Sequence, residues 1–161
     1  MTTFGSTNTV RWTPVQLASL VVGALFLIVG IAGFIPGITT NFDDLTFAGH
    51  HTSTELLGVF QVSVLHNIVH LIFGVAGLAL ARTVNGARAF LLGAGVIYLV
   101  LWLYGLVIDK MSDANFVPLN TADDWLHFVL GVAMVALGLT LPRLSAGAMQ
   151  PGPSLHGPGT R

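Results

Sequence analysis

At 161 residues the chain is long enough for one domain, yet 53% of it is hydrophobic and only 8% is charged, where a soluble globular chain carries about 25% charged residues. Six Lys/Arg against seven Asp/Glu give a net charge of −1, which excludes the concentrated basic face of a nucleic-acid binder and leaves no polybasic patch for an anionic membrane surface. Cysteine is absent, so disulfides, thiolate metal sites and thiol nucleophiles are excluded. The composition fits a protein whose solvent is lipid.

Four stretches lack Asp, Glu, Lys and Arg over about 17 to 25 residues, the helix length that crosses a hydrocarbon core. They are Val15–Ile35, Val59–Ala81, Phe90–Ile108 and Trp125–Leu141. Backbone groups in lipid must be satisfied within the segment, so each stretch is read as a helix. Ahead of the first lies a short N-terminal segment, residues 1–14, in which Thr13-Pro14 predicts an N-cap followed by Pro at the first helical position. The first span exceeds the core of about 7 to 15 residues of a signal peptide and ends at Gly33-Phe34-Ile35-Pro36 without a small-residue cleavage pattern, so it is read as retained. In the loop Pro36–Leu57, Thr52-x-x-Glu55 predicts a capping box for the second helix, and the adjacent His50 and His51 are read as solvated. A short link with Arg82 and Arg88 leads to the third span. The second loop, Asp109–Asp124, ends in Thr121-x-x-Asp124, a further predicted capping box, and Pro142 follows the fourth span. Residues 15–143 thus form the helical domain, and the Pro/Gly-rich tail 144–161, with His156, is predicted to be disordered.

Positive charge sets the expected orientation. Arg11, Arg82, Arg88, Arg143 and Arg161 all fall on one side of the four spans, and only Lys110 falls on the other. Both termini and the short link are therefore expected in the cytoplasm, and the two longer loops, which hold every acidic residue, outside the plasma membrane.

The even-numbered spans resemble each other. Asn67-Ile-Val-His70 with Gly74-Val75-Ala76 aligns without gaps on Asp124-Trp-Leu-His127 with Gly131-Val132-Ala133, and the odd spans add Gly23-Ala24 against Gly93-Ala94. Two helical hairpins of like orientation would be related by a pseudo-two-fold axis along the membrane normal.

Ionisable groups at membrane depth are functional candidates. Here they are His66, His70 and His127, with Asp123 and Asp124 at the mouth of the bundle and Asn67 beside them. His66 and His70 are four residues apart, as are Asp123 and His127, so each pair shares a helix face. Rise per residue places both His70 and His127 in the outer half of the bilayer, with Tyr98 and Tyr104 bracketing the layer. Three readings stay open. The residues form a hydrogen-bonded layer that fixes helix register, with no cofactor; or His66, His70, Asp123 and His127 bind a divalent metal; or His70 and His127 are the axial ligands of a b-type haem, with Gly74 and Gly131 leaving room for it. The last two would make a redox or sensor protein. No phosphate loop, Ser/His/Asp grouping or zinc-protease motif is found, so no enzymatic activity is predicted. The bilayer is the partner the composition demands, and a homo-oligomer or a membrane-complex partner is compatible with it.

His66-Asn67-x-x-His70-x-x-x-Gly74-x-x-Gly77, the helix with Gly93, Tyr98 and Gly105, and Asn120-x-Ala122-Asp123-x-x-Leu126-His127 together resemble an uncharacterised family of four-span membrane proteins. The family is common in actinobacteria and known only as a domain of unknown function. The resemblance runs from about Val15 to Arg143 and implies an integral plasma-membrane protein with His66, Asn67, His70, Asp123 and His127 as its site residues, but no activity. The expected fold is all-α: a four-helix transmembrane bundle of two parallel helical-hairpin repeats with both termini cytoplasmic.

Overall fold

The computed structural model describes residues 12–49 and 51–142. Arg11, His50, Arg143, His156 and Arg161, and with them the tail, lie outside the described residues. The described chain is mostly helical: α1 (Pro14–Ala32), α2 (Val64–Leu80), α3 (Val84–Val107) and α4 (Thr121–Thr140). Between α1 and α2 run β1 (Thr39–Thr40), a 3-10 turn at Phe42–Asp44, β2 (Glu55–Leu56) and β3 (Phe60–Gln61). Helices α1, α3 and α4 are long and apolar enough to cross a membrane. Their outward faces are apolar as well. Leu17, Val21, Leu25, Ile28 and Ile31 form one exposed stripe along α1, far more than the scattered apolar residues a water-facing helix shows.

Helix α1 begins as expected, with Thr13 ahead of Pro14 and the Gln16 side-chain carbonyl accepting from the Thr13 N–H at 3.0 Å. The second helix does not. The span expected at Val59–Ala81 is a helix only from Val64, because its first residues belong to a three-stranded antiparallel sheet in the order β1-β2-β3. Leu57 and Gly58, both at positive φ (57° and 67°), reverse the chain between β2 and β3. An apolar run does not itself distinguish strand from helix, and the turn sits inside it. Glu55 is therefore a strand residue and Thr52 caps nothing; Ser63 is the cap, accepting from the His66 N–H at 3.2 Å. The first two donors of α2, on Val64 and Leu65, bond to the carbonyls of Thr46 and Phe47 in the loop, which satisfies groups a helix start leaves unpaired. At about 1.5 Å per residue, the 17 residues of α2 rise about 25 Å, a little less than a hydrocarbon core of about 30 Å.

Two further boundaries move. Helix α3 starts at Val84, six residues before Phe90, so that the link is only Ala81–Thr83 and Arg88 is helical. Its guanidinium donates to the carbonyls of Leu139 and Leu141 at 3.2 and 3.1 Å, capping the C-terminal end of α4. In α4 the capping box lies one residue earlier than expected: Asn120 and Asp123 form it, not Thr121 and Asp124. Arg88, Asp123 and Asp124 thus lie inside helices that apolarity alone would leave uncharged.

Packing is pairwise, α1 on α2 and α3 on α4, with Phe26, Phe90, Leu91, Tyr98 and Met134 filling the space between the pairs. The two pairs pack through matched contacts. A Cβ on Gly23 would meet the Gly74 carbonyl and the Leu78 N–H at 3.0 Å each, and one on Gly95 would meet the Gly131 carbonyl and the Val135 N–H at the same distances. Gly74 abuts Leu27 as Gly131 abuts Leu99, and Gly33 abuts Asn67 as Gly105 abuts Asp124. In these contacts Gly23 resembles Gly95, not Gly93, with which the sequence aligns it: a Cβ on Gly93 meets nothing within 4 Å.

Both loops lie over one end of the bundle and are tied together there. Gly49 N–H donates to the Phe116 carbonyl at 2.7 Å, and the Asn120 side chain to the Val59 carbonyl at 2.7 Å. Asn115 folds the second loop on itself through Lys110 and Leu119, and the Tyr104 hydroxyl donates to the Ala114 carbonyl.

Candidate functional site

The cap on Ser63 sets the register of α2 so that His66 and Asn67 are buried and His70 turns toward α3. The Asn120 cap does the same for Asp123, Asp124 and His127 on α4. Four of the six sequence candidates, His66, His70, Asp123 and His127, come together with Tyr98 around one cavity of about 130 Å³ whose remaining walls are apolar. Asn67 and Asp124 do not join them. They lie in the two seams, α1/α2 and α3/α4, where Gly33 and Gly105 make room for their side chains.

The ring of His70 is committed on both sides. Its Nδ1 lies 3.0 Å from the His66 carbonyl, which can only accept, so Nδ1 carries the proton. Nε2 is then the acceptor of the neutral imidazole, and it takes the Tyr98 hydroxyl at 3.1 Å. His66 stacks at a tilt on His70 with centroids 4.1 Å apart. Phe26 meets His70 at 5.4 Å, and in the other helix pair Tyr98 meets His127 edge-on at 4.7 Å. Among the described residues the buried Nδ1 atoms of His66 and His127 have no hydrogen-bond partner. Asn67 makes no hydrogen bond of normal length and angle either, although His66 is near enough to interact with it.

The two aspartates have separate tasks. Asp123 Oδ2 accepts from the backbone N–H groups of Asn120 (2.9 Å) and Gln61 (3.1 Å), joining the start of α4 to β3. Asp124 is 4% exposed and holds Lys110 through both oxygens, at 2.8 and 2.6 Å. Lys110 is the functional neighbour that motif reasoning missed. The signal for it was in the charges, since it is the single cation among the acidic residues of the two long loops.

Neither cofactor fits this geometry readily. Among the described residues no three His, Asp or Glu side chains are arranged to hold a metal ion. His70 offers a nitrogen to a metal or a haem only by giving up Tyr98 or the His66 carbonyl. A cavity of about 130 Å³ is of the size that accepts a single aromatic ring, much smaller than a porphyrin. The arrangement itself is a polar layer inside an apolar bundle. Tyr98→Phe removes its best-formed contact and is expected to lower stability by about 0.6 to 1.5 kcal/mol, read from reversible unfolding in mixed micelles; an unchanged midpoint would mean that the Tyr98–His70 bond does not hold α3 to α2.

Comparison with known proteins gives a family and no more. The family model described as a domain of unknown function, DUF4383, matches residues 16–140. No match was found among curated proteins or among solved structures. With most of its length covered by that model, the chain belongs to the DUF4383 family.

Proposed function

We propose that this member of the DUF4383 family is a four-span plasma-membrane protein with both termini cytoplasmic, built from two hairpins of like orientation. Its role is accessory or structural, not enzymatic, and the buried His/Asn/Asp layer near the outer face holds the four helices in register. The observation that carries the repeat is the matched set of contacts. Gly23, Phe26, Leu27 and Gly33 on α1 stand to Gly95, Tyr98, Leu99 and Gly105 on α3 as Asn67, His70 and Gly74 on α2 stand to Asp124, His127 and Gly131 on α4. Gln16 and Arg88, in the same relation, each reach the carbonyl end of the neighbouring helix. Such agreement supports a pseudo-two-fold axis running between Phe26 and Tyr98, whose rings meet at 5.4 Å.

Orientation is supported by Arg82 and Arg88 at the tight α2–α3 link against Lys110 at the capped end. Helix α2 reaches the membrane surface with the help of the loop sheet above it. A resident metal or haem is no part of this reading, because His70 has no uncommitted nitrogen. The expected result of washing membranes with alkaline carbonate is that the chain stays in the pellet and is released only by detergent. Release by alkali alone would show a peripheral protein and sink the proposal.

A further inference from the structure

The pseudo-symmetry fails at the cavity. On the α2/α3 side, Tyr98 donates to His70 and closes the contact. The matching residue on the α1/α4 side is Phe26, which has no hydroxyl to offer His127. Among the described residues the Nδ1 atoms of His127, 5% exposed, and His66, 9% exposed, are left without partners, a costly state for buried polar groups. Both residues line the cavity of about 130 Å³. Its apolar walls come mainly from α1 and α4, which touch each other sparsely, and two wall residues, Leu25 and Leu126, are also open to the outer surface of the bundle.

We propose that this cavity binds a neutral, membrane-dissolved molecule with one six-membered ring carrying oxygen, of the quinone or quinol type, which arrives sideways from the lipid between α1 and α4. Size selects one ring, since an engineered apolar cavity of roughly 150 Å³ takes benzene. The walls select an apolar body. Among the described residues the lining holds no cation, so an anionic head group has no counter-ion, and its carboxylate, Asp123, already accepts two backbone N–H groups through Oδ2. The histidines select oxygen of either kind. An imidazole Nδ1 donates to a ring carbonyl in one tautomer and accepts from a ring hydroxyl in the other.

The test compares p-xyloquinone with p-xylene, which share a planar six-membered ring with two para methyl groups but of which only the quinone carries ring carbonyls, by calorimetric titration of the full chain in mild detergent. Wild type is expected to bind p-xyloquinone saturably and p-xylene at least about tenfold more weakly. His127→Leu and His66→Leu are each expected to weaken p-xyloquinone about tenfold and to leave p-xylene unchanged. Phe26→Tyr supplies the missing hydroxyl, occupies the space facing His127 and is expected to abolish quinone binding without lowering the melting temperature. Because that variant adds a partner and removes none, it keeps the test open if a histidine variant does not fold. Equal binding of the two rings, quinone binding unaltered in Phe26→Tyr, or no saturable binding to a cooperatively melting wild type would each overturn the proposal. None of these results bears on the four-span reading, which alkaline extraction tests separately.

Discussion

Replacing Lys110 with Met is expected to destabilise the folded protein by about 3 kcal/mol, and adding Asp124→Asn is expected to restore most of the loss. Asp124 is 4% exposed and both of its oxygens are held by the Lys110 ammonium. Removing one partner of a buried pair costs about 3 to 5 kcal/mol because it strands the other charge. The lower end applies here, since Lys110 is 30% exposed and part of the attraction is screened by water. Recovery in the double variant follows from the other helix pair, where the matching position is Asn67, a neutral amide set against Gly33 as Asp124 is set against Gly105. Unfolding free energies of the wild type, the two single variants and the double variant form the cycle that checks this. A Lys110→Met variant within about 0.5 kcal/mol of wild type would place the ion pair among those that contribute nothing measurable.

Valine at Gly74 or at Gly131 is expected to cost about 3 kcal/mol each, the upper end of what overpacking costs, while valine at Gly93 changes stability by less than about 0.5 kcal/mol. At Gly74 a Cβ would lie 2.5 Å from Leu27 Cγ and 2.8 Å from the Leu27 backbone nitrogen, and at Gly131 it would lie 2.9 Å from Leu99 Cγ and 3.1 Å from the Gly95 carbonyl. A side chain can rotate aside, but a backbone atom moves only if the helix moves. The hairpin must therefore open. Gly93 is exposed with nothing near it, so its substitution controls for the helix propensity and lipid solubility of valine. Thermal midpoints of the three variants in the same detergent decide the matter, and equal shifts at all three positions would deny that the close approach of the helices sets stability.

The four helices were legible because the absence of charge over a membrane-crossing length is a strong constraint. The β2–β3 turn was not, since Leu57 and Gly58 stand in an apolar run and only their positive φ values mark the reversal. Arg88 misled in the opposite sense. It reads as the end of a link, but its long side chain lets a charge inside α3 reach the carbonyls that end α4. Within the site, spacing of four residues grouped His66 with His70 and Asp123 with His127, and all four line one cavity. The same spacing could not separate Asn67 and Asp124, which face the seams instead, because only the neighbouring glycines decide which way they turn. That Gly95 and not Gly93 makes the close contact has a similar origin. Gly and Ala recur often in apolar helices, and the partner's backbone, invisible in the sequence, determines which glycine must stay small.

Four crossings of the membrane, with the two long loops together on the outside, are what we propose for this chain. The chain has no cysteine, so single cysteines can be placed at the exposed positions Ser53 and Asp113, in the two long loops, and Asn85, beside the α2–α3 link. A membrane-impermeant maleimide applied to intact cells is expected to label Ser53→Cys and Asp113→Cys, and to label Asn85→Cys only after permeabilisation. Labelling of Asn85→Cys in intact cells, or labelling of Ser53→Cys and Asp113→Cys from opposite sides, would rule out this topology.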